Sequence, residues 1–128
     1  MFTWKGAYKM AKIAVVEDND AMREQLCGFI AQYARESGRQ LDVTAFADGA
    51  EIVDPYRPGF DIIFLDIEMP TLGGMPTAER IRQVDPDVVL VFVTNMAQYA
   101  IRGYEVDALD FVLKPVSYYQ FSTKLERA

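Results

Sequence analysis

FDIIFLDIEMPTLGG, residues 60–74, sets four large apolar side chains in an unbroken row, Ile62 to Leu65, between Asp61 and Asp66. A strand with one wet face alternates apolar and polar residues, whereas an unbroken apolar run suits a strand covered on both faces. Asp61 to Leu65 is therefore read as a buried strand that ends at Asp66. Working outward, similar apolar, β-branched runs recur from Lys12 to Val16, Leu41 to Phe46, Val88 to Val93 and Leu109 to Leu113. Segments of helical period lie between them. Asp20 to Glu36 carries Met22, Leu26, Phe29, Ile30 and Tyr33 on one stripe, with Ser37-Gly38 as a stop. Asp48 is placed to cap a second helix from Ala50 to about Tyr56, closed by Pro55, Pro58 and Gly59. A third runs from Met75 to Val84, a short fourth from Ala97 to Tyr104, and a fifth from Ser117 onward. Five alternating strand and helix units predict a doubly wound α/β domain around a parallel sheet.

The 128 residues, 51% of them hydrophobic, suffice for one domain with its own core. Residues 1–9 have no clear period and are expected to be a leader or appended remnant, the domain occupying residues 10–128. The fifth helix is still in pattern at Ala128, so the natural chain is expected to run further. A net charge of −6 without a basic cluster disfavours a grip on nucleic-acid phosphates. The lone Cys27 excludes an internal disulfide, and the absence of histidine removes the commonest general base and zinc ligand. The apolar runs are too short to span a bilayer and no signal peptide is visible, so a cytoplasmic location without membrane contact is expected.

Ligands of a doubly wound sheet collect at the carboxyl ends of its strands. Glu17 and Asp18 follow the first strand, Asp66 the third, Thr94 the fourth, and Lys114, then Pro115, the fifth. Three carboxylates converging there would repel one another unless a cation neutralised them, and Mg2+ accepts carboxylate oxygens while keeping positions for phosphate and water. The acidic VEDND of residues 16–20 stands where a nucleotide-binding site would have a glycine-rich cradle. With the cation held, Asp66 can attack a phosphoryl group whose charge is shared with Lys114, while Thr94 offers a hydroxyl to a phosphoryl oxygen. Taken singly, each residue has a plainer role: Glu17-Asp18 a solvated turn, Thr94 a helix cap, Lys114 a surface charge. Their conjunction at the strand ends of one crevice is what points to chemistry.

IAVVEDND (13–20), FDIIFLDIEMPTLGG (60–74), VVLVFVTN (88–95) and ALDFVLKP (108–115) together resemble, in order and spacing, the receiver domain of bacterial response regulators. That resemblance implies a flavodoxin-like (βα)5 fold with strand order 2-1-3-4-5. It implies that Glu17 and Asp18 hold magnesium together with Asp66 and the backbone carbonyl of Glu68, and that Asp66 is the phosphoacceptor. Thr94 becomes the switch hydroxyl, Lys114 the phosphate-pairing lysine, and Phe111 the switch aromatic, which works through packing because it has no hydroxyl. The Lys114-Pro115 bond is usually cis in the family. Phe111 taken alone reads equally as an ordinary half-buried strand aromatic. Gly73 departs from the acidic residue often found in that loop, and Glu68 and Met96 flank the crevice where water would reach a phosphoaspartate.

Residues 94–115, TNMAQYAIRGYEVDALDFVLKP, look like receivers that precede LytTR-type DNA-binding domains. The implied partners are a sensor histidine kinase, DNA only through an output domain absent from this chain, and a second copy of the chain. The homodimer or a contact with the output domain would use the face built from the fourth helix, fifth strand and fifth helix, where Tyr99, Ile101, Tyr104 and Tyr118 are candidate contacts, although each taken singly reads more plainly as helix packing. Two other classes compete. A pseudo-receiver would bind partners without phosphorylation, but none of its acidic ligands, acceptor or lysine is missing here. An aspartate-nucleophile phosphatase has an acid-x-acid loop after its first strand, whereas Asp66 follows the third and is paired with Glu68.

Overall fold

The structure, a computed structural model, describes residues 10–96, 105–108 and 110–127. The expected leader, the expected fourth helix with Tyr99, Ile101 and Tyr104, and Leu109 lie outside the described residues. Strands β1 (Ala11–Val16), β2 (Leu41–Phe46), β3 (Ile62–Leu65), β4 (Val89–Thr94) and β5 (Asp110–Leu113) alternate with helices α1 (Asp20–Ser37), α2 (Gly49–Val53), α3 (Gly74–Val84) and α4 (Tyr118–Arg127). Here α4 is the segment expected as the fifth helix. All strand pairs are parallel, in the order β2-β1-β3-β4-β5. The winding therefore reverses at β1, whose two neighbours lie on opposite sides of it.

The two-residue period of each strand sorts its side chains into two cores. Ile13, Val15, Ile62, Phe64, Val91 and Val93 pack on one face beneath Leu26 and Ile30 of α1 and Phe121 and Leu125 of α4. Ala14, Val16, Ile63, Leu65, Leu90 and Phe92 pack on the other with Ile52 of α2 and Met75, Ala78 and Ile81 of α3. Both faces being covered, the central strands need apolar residues at successive positions, which is why their runs are unbroken. Phe121, fully buried, sets its ring centroid 4.6 Å from that of Phe64; burying such a side chain contributes about 2 to 3 kcal/mol.

Burial on both faces does not extend to β2, where only half-buried and exposed residues occur. It is an edge strand with β1 as its single partner, so Asp42 and Thr44 are left exposed while Leu41 and Val43 still reach the core beneath α1. The second helix is also shorter than expected, ending at Val53 instead of about Tyr56. Pro55 disfavours helical geometry at Asp54, which has φ −119° and ψ 76°. Tyr56 is thereby released to pack in the core and donate to an Asp85 carboxylate oxygen at 2.7 Å. The far end of α3 is tied down by Arg82, whose guanidinium donates to the carbonyls of Val88, Val106 and Asp107.

Helix α1 starts on Asn19, whose side chain accepts from the Met22 N–H, and stops at Gly38 in the left-handed region at φ 73°. Gly28 sits exposed inside this helix, and a Cβ there would meet nothing within 4 Å. Gly28→Ala is accordingly expected to stabilise the domain by about 0.5 to 1 kcal/mol in urea unfolding. A loss of stability would contradict the open space seen at this position.

Candidate functional site

Sheet hydrogen bonding continues one residue past the strands and so fixes the backbone of the residues that follow them. Glu17 N–H donates to the Phe46 carbonyl at 3.0 Å, Asp66 N–H to Val16 at 3.1 Å and Lys114 N–H to Thr94 at 2.9 Å. Asp66 and Glu17 thus emerge side by side where the winding reverses, the place a doubly wound sheet offers to a ligand. The ends border an open depression of about 420 Å³ lined by Glu17, Asp18, Asp66, Glu68, Asn95 and Lys114, among others.

Glu17 and Asp66 are buried, Asp18 is exposed, and one oxygen from each lies within 4.8 Å of the others. The Lys114 ammonium donates to Asp66 Oδ2 at 3.0 Å and lies 2.7 Å from Glu17 Oε1. The second contact is an ion pair, and the buried Oε1 accepts no hydrogen bond of good geometry among the described residues. Asp66 Oδ1 accepts from the Ile67 N–H at 2.7 Å. Burial holds the Glu17 carboxyl above its ordinary value, although the nearby ammonium of Lys114 and the Asn19 N–H act against it. Burial would lower the Lys114 pKa, but the adjoining carboxylates of Glu17 and Asp66 outweigh this and hold it above its ordinary value.

Three carboxylates facing one ammonium leave negative charge uncompensated, and one oxygen from each lies close enough to the others to bind a single cation. The donor set is all oxygen, without sulfur or imidazole, which suits a hard divalent cation of the magnesium type. The acidic cluster expected from the strand ends is therefore assembled in the fold. Glu68, expected to contribute its carbonyl, lies exposed on the rim.

Thr94 and Phe111 are placed differently. Thr94 is fully buried and shares the parity of Leu90 and Phe92, and its hydroxyl oxygen accepts from the Met96 N–H at 3.2 Å. Asn95, which the strand-end reading passed over, lines the depression instead. Phe111 is half-buried with its ring 6.3 Å from that of Phe92. The Lys114-Pro115 bond is cis, as the resemblance implied.

Arg23 was also missed. Its guanidinium donates to the Glu17 carbonyl at 2.8 Å and pairs with Asp20, bracing the acidic turn from α1. The signal was the position of Arg23 one helical turn after the Asn19 cap, which periodicity alone cannot distinguish from a solvated charge.

Compared with known families, residues 13–126 match the response regulator receiver domain. The chain belongs to that family. A receiver domain is a phosphoacceptor signalling module of two-component systems rather than a catalytic enzyme. Among curated proteins it is similar to the sensory transduction protein LytT of Oceanobacillus iheyensis, 31% identical over 90% of this chain and 46% of that protein. The transcriptional regulatory protein BtsR of Escherichia coli is 31% identical over 92% of this chain and 48% of that protein. These relatives are regulators of the LytTR type, and this chain spans about half their length. Among solved structures, the non-phosphorylated HemR receiver domain of Leptospira biflexa superposes with a TM-score of 0.79 at 31% identity, covering 91% of this chain and 92% of that one. The receiver's strand order and five-stranded parallel sheet are those of the family fold. Among the described residues of this receiver, no helix is long and apolar enough to cross a membrane.

Proposed function

We propose that this receiver domain accepts a phosphoryl group on Asp66 from the phosphohistidine of a sensor histidine kinase, with Mg2+ held by Glu17, Asp18, Asp66 and the backbone carbonyl of Glu68. The observation that carries the reading is the ammonium shared by two buried carboxylates from different strands, beside a third on the rim. A carboxylate oxygen of Asp66 bonds to phosphorus as the P–N bond of the donor breaks, and the departing imidazole nitrogen keeps the electron pair and takes up a proton. Mg2+, when bound, supplies neutralisation of the phosphoryl oxygens and of the converging carboxylates. Lys114 exchanges its bond to the Asp66 carboxylate for one to a phosphoryl oxygen, remaining between the same two side chains.

Thr94 is the switch hydroxyl in this account. Its oxygen already accepts from Met96, so the hydroxyl proton is the part that can turn toward a phosphoryl oxygen and draw residues 94–96 with it. Phe111, packed against Phe92, then resettles by packing. The reshaped face would bear on a second copy of the chain and on a DNA-binding output domain, giving transcriptional control from the cytoplasm. The similarity to BtsR, a transcriptional regulatory protein of which this chain spans about half, supports that output.

Acetyl phosphate with Mg2+ should add one phosphoryl group to the wild type by intact-mass measurement, and none to Asp66→Ala. Equal uptake by the two proteins would remove Asp66 from the account, and no uptake by the wild type would remove phosphorylation.

A further inference from the structure

Behind the loop that follows Asp66 lies a buried carboxylate with no part in the chemistry above. Asp48, between β2 and α2, is 8% exposed. Its Oδ1 accepts from the Ala50 N–H at 2.9 Å, capping α2, and also from the Leu72 N–H at 2.9 Å, while Oδ2 accepts from the Thr71 N–H at 2.9 Å. Two of its three donors belong to the loop joining β3 to α3. A cap requires only one acceptor, which a serine supplies as well, whereas two oxygens serving three N–H groups require a carboxylate. Those donors outweigh the effect of burial and hold the Asp48 carboxyl below its ordinary value, so the anion persists.

The loop is closed on itself by Gly74 N–H donating to the Ile67 carbonyl at 2.7 Å and by Thr77 Oγ1 donating to the Gly73 carbonyl at 2.8 Å. Asp66 is anchored to β1 at one end, and Thr71 and Leu72 are anchored to Asp48 at the other. Ile67 is held through its own N–H and carbonyl, and residues 68–70, Glu68 among them, span the gap from there to the Asp48 anchor.

We propose that Asp48 is a positioning residue for the phosphoacceptor site: by holding Thr71 and Leu72 it fixes the backbone that carries Glu68 beside the Glu17, Asp18 and Asp66 cluster. The inference rests on the metal reading given under Proposed function. Two variants separate it from plain stability. Asp48→Asn keeps one acceptor oxygen for Ala50 and Leu72 but turns an NH2 group toward the Thr71 N–H. Asp48→Ser keeps the helix cap and reaches neither loop amide.

The full chain would be titrated with Mn2+, followed by loss of the free-ion paramagnetic resonance signal, alongside metal-free thermal unfolding and amide exchange. The expected result is a Mn2+ dissociation constant raised about 10-fold in Asp48→Asn and more in Asp48→Ser, within the range for groups that orient metal ligands. Exchange at Thr71 should quicken in both variants and at Leu72 only in Asp48→Ser. Unchanged Mn2+ affinity with a quickened Thr71 amide overturns the proposal, as does affinity that falls only in proportion to the folded fraction. Should Asp48→Ser fail to fold, Asp48→Asn decides alone. A wild type that binds no Mn2+ overturns the metal reading itself, an outcome distinct from wild-type binding that the variants leave unaltered.

Discussion

Gly74→Ala is expected to lower the unfolding free energy by about 3 kcal/mol, the upper end for forcing extra volume into a packed site, and to abolish phosphoryl uptake even where the protein is folded. A Cβ at this position would lie 2.1 Å from the Asp66 carbonyl oxygen and 2.8 Å from the Ile67 Cα. Both neighbours are backbone, so no flexible side chain can swing away. Their backbone is also fixed, because the Asp66 N–H bonds the Val16 carbonyl of β1 and the Ile67 carbonyl accepts from Gly74 itself. Relief must come from moving the first turn of α3 or the peptide of the acceptor aspartate. Urea unfolding and intact-mass measurement after acetyl phosphate read the two effects separately. Wild-type stability together with wild-type uptake would show that the helix does not approach Asp66 this closely.

Glu17→Gln is expected to act with opposite signs on the metal-free and metal-bound protein. The folded-state pKa of Glu17 is raised above its ordinary value, chiefly by burial. A carboxyl shifted in this direction contributes stability below its unfolded pKa, and that contribution is lost as pH rises through the folded value. The ionised form of Glu17 therefore weakens the metal-free fold. Lys114 is shifted upward too, so its pairing persists below 10.5 and is available at pH 7 to Asp66 alone once Glu17 is neutral. The variant should be more stable than the wild type without metal, because it removes a carboxylate whose ionised form burial disfavours, with the difference shrinking as pH falls below the folded Glu17 value. Mg2+ at about 100 times its Kd should stabilise the wild type by about 2.7 kcal/mol and the variant hardly at all. Denaturation with and without Mg2+ at several pH values checks both signs. Equal stabilisation by Mg2+ would remove Glu17 from the cation site.

Much of the architecture was legible because its signals are local. The unbroken runs at Ile13 to Val16 and Ile62 to Leu65 follow from coverage on both sheet faces, and helix α1 announced itself through its spacing and its Gly38 stop. The polar residues at the strand ends were visible for a related reason. An apolar strand that ends in Asp66 or Lys114 brings that side chain to the rim, since neither charge can be left unpaired inside.

Other features depended on which segments are neighbours. The run at β2 looks like its fellows until the sheet order makes it an edge, whereas the end of α2 was placed too late for a local reason, since Pro55 already keeps Asp54 out of helical geometry. Asp48 read as a helix cap, which it is, but its bonds to Thr71 and Leu72 join residues 23 and 24 positions away.

By itself, then, the sequence determined the alternation of strands and helices, the two-sided core and the kinds of charge at the strand ends, because each follows from periodicity and the cost of burying polar groups. Only the tertiary structure decided that one ammonium would stand between Glu17 and Asp66, that Asn95 rather than Thr94 would face the depression, and that Asp48 would hold the acceptor loop from behind. Those contacts link residues far apart in the chain, and strand register and packing, which no local pattern encodes, bring them within hydrogen-bonding reach.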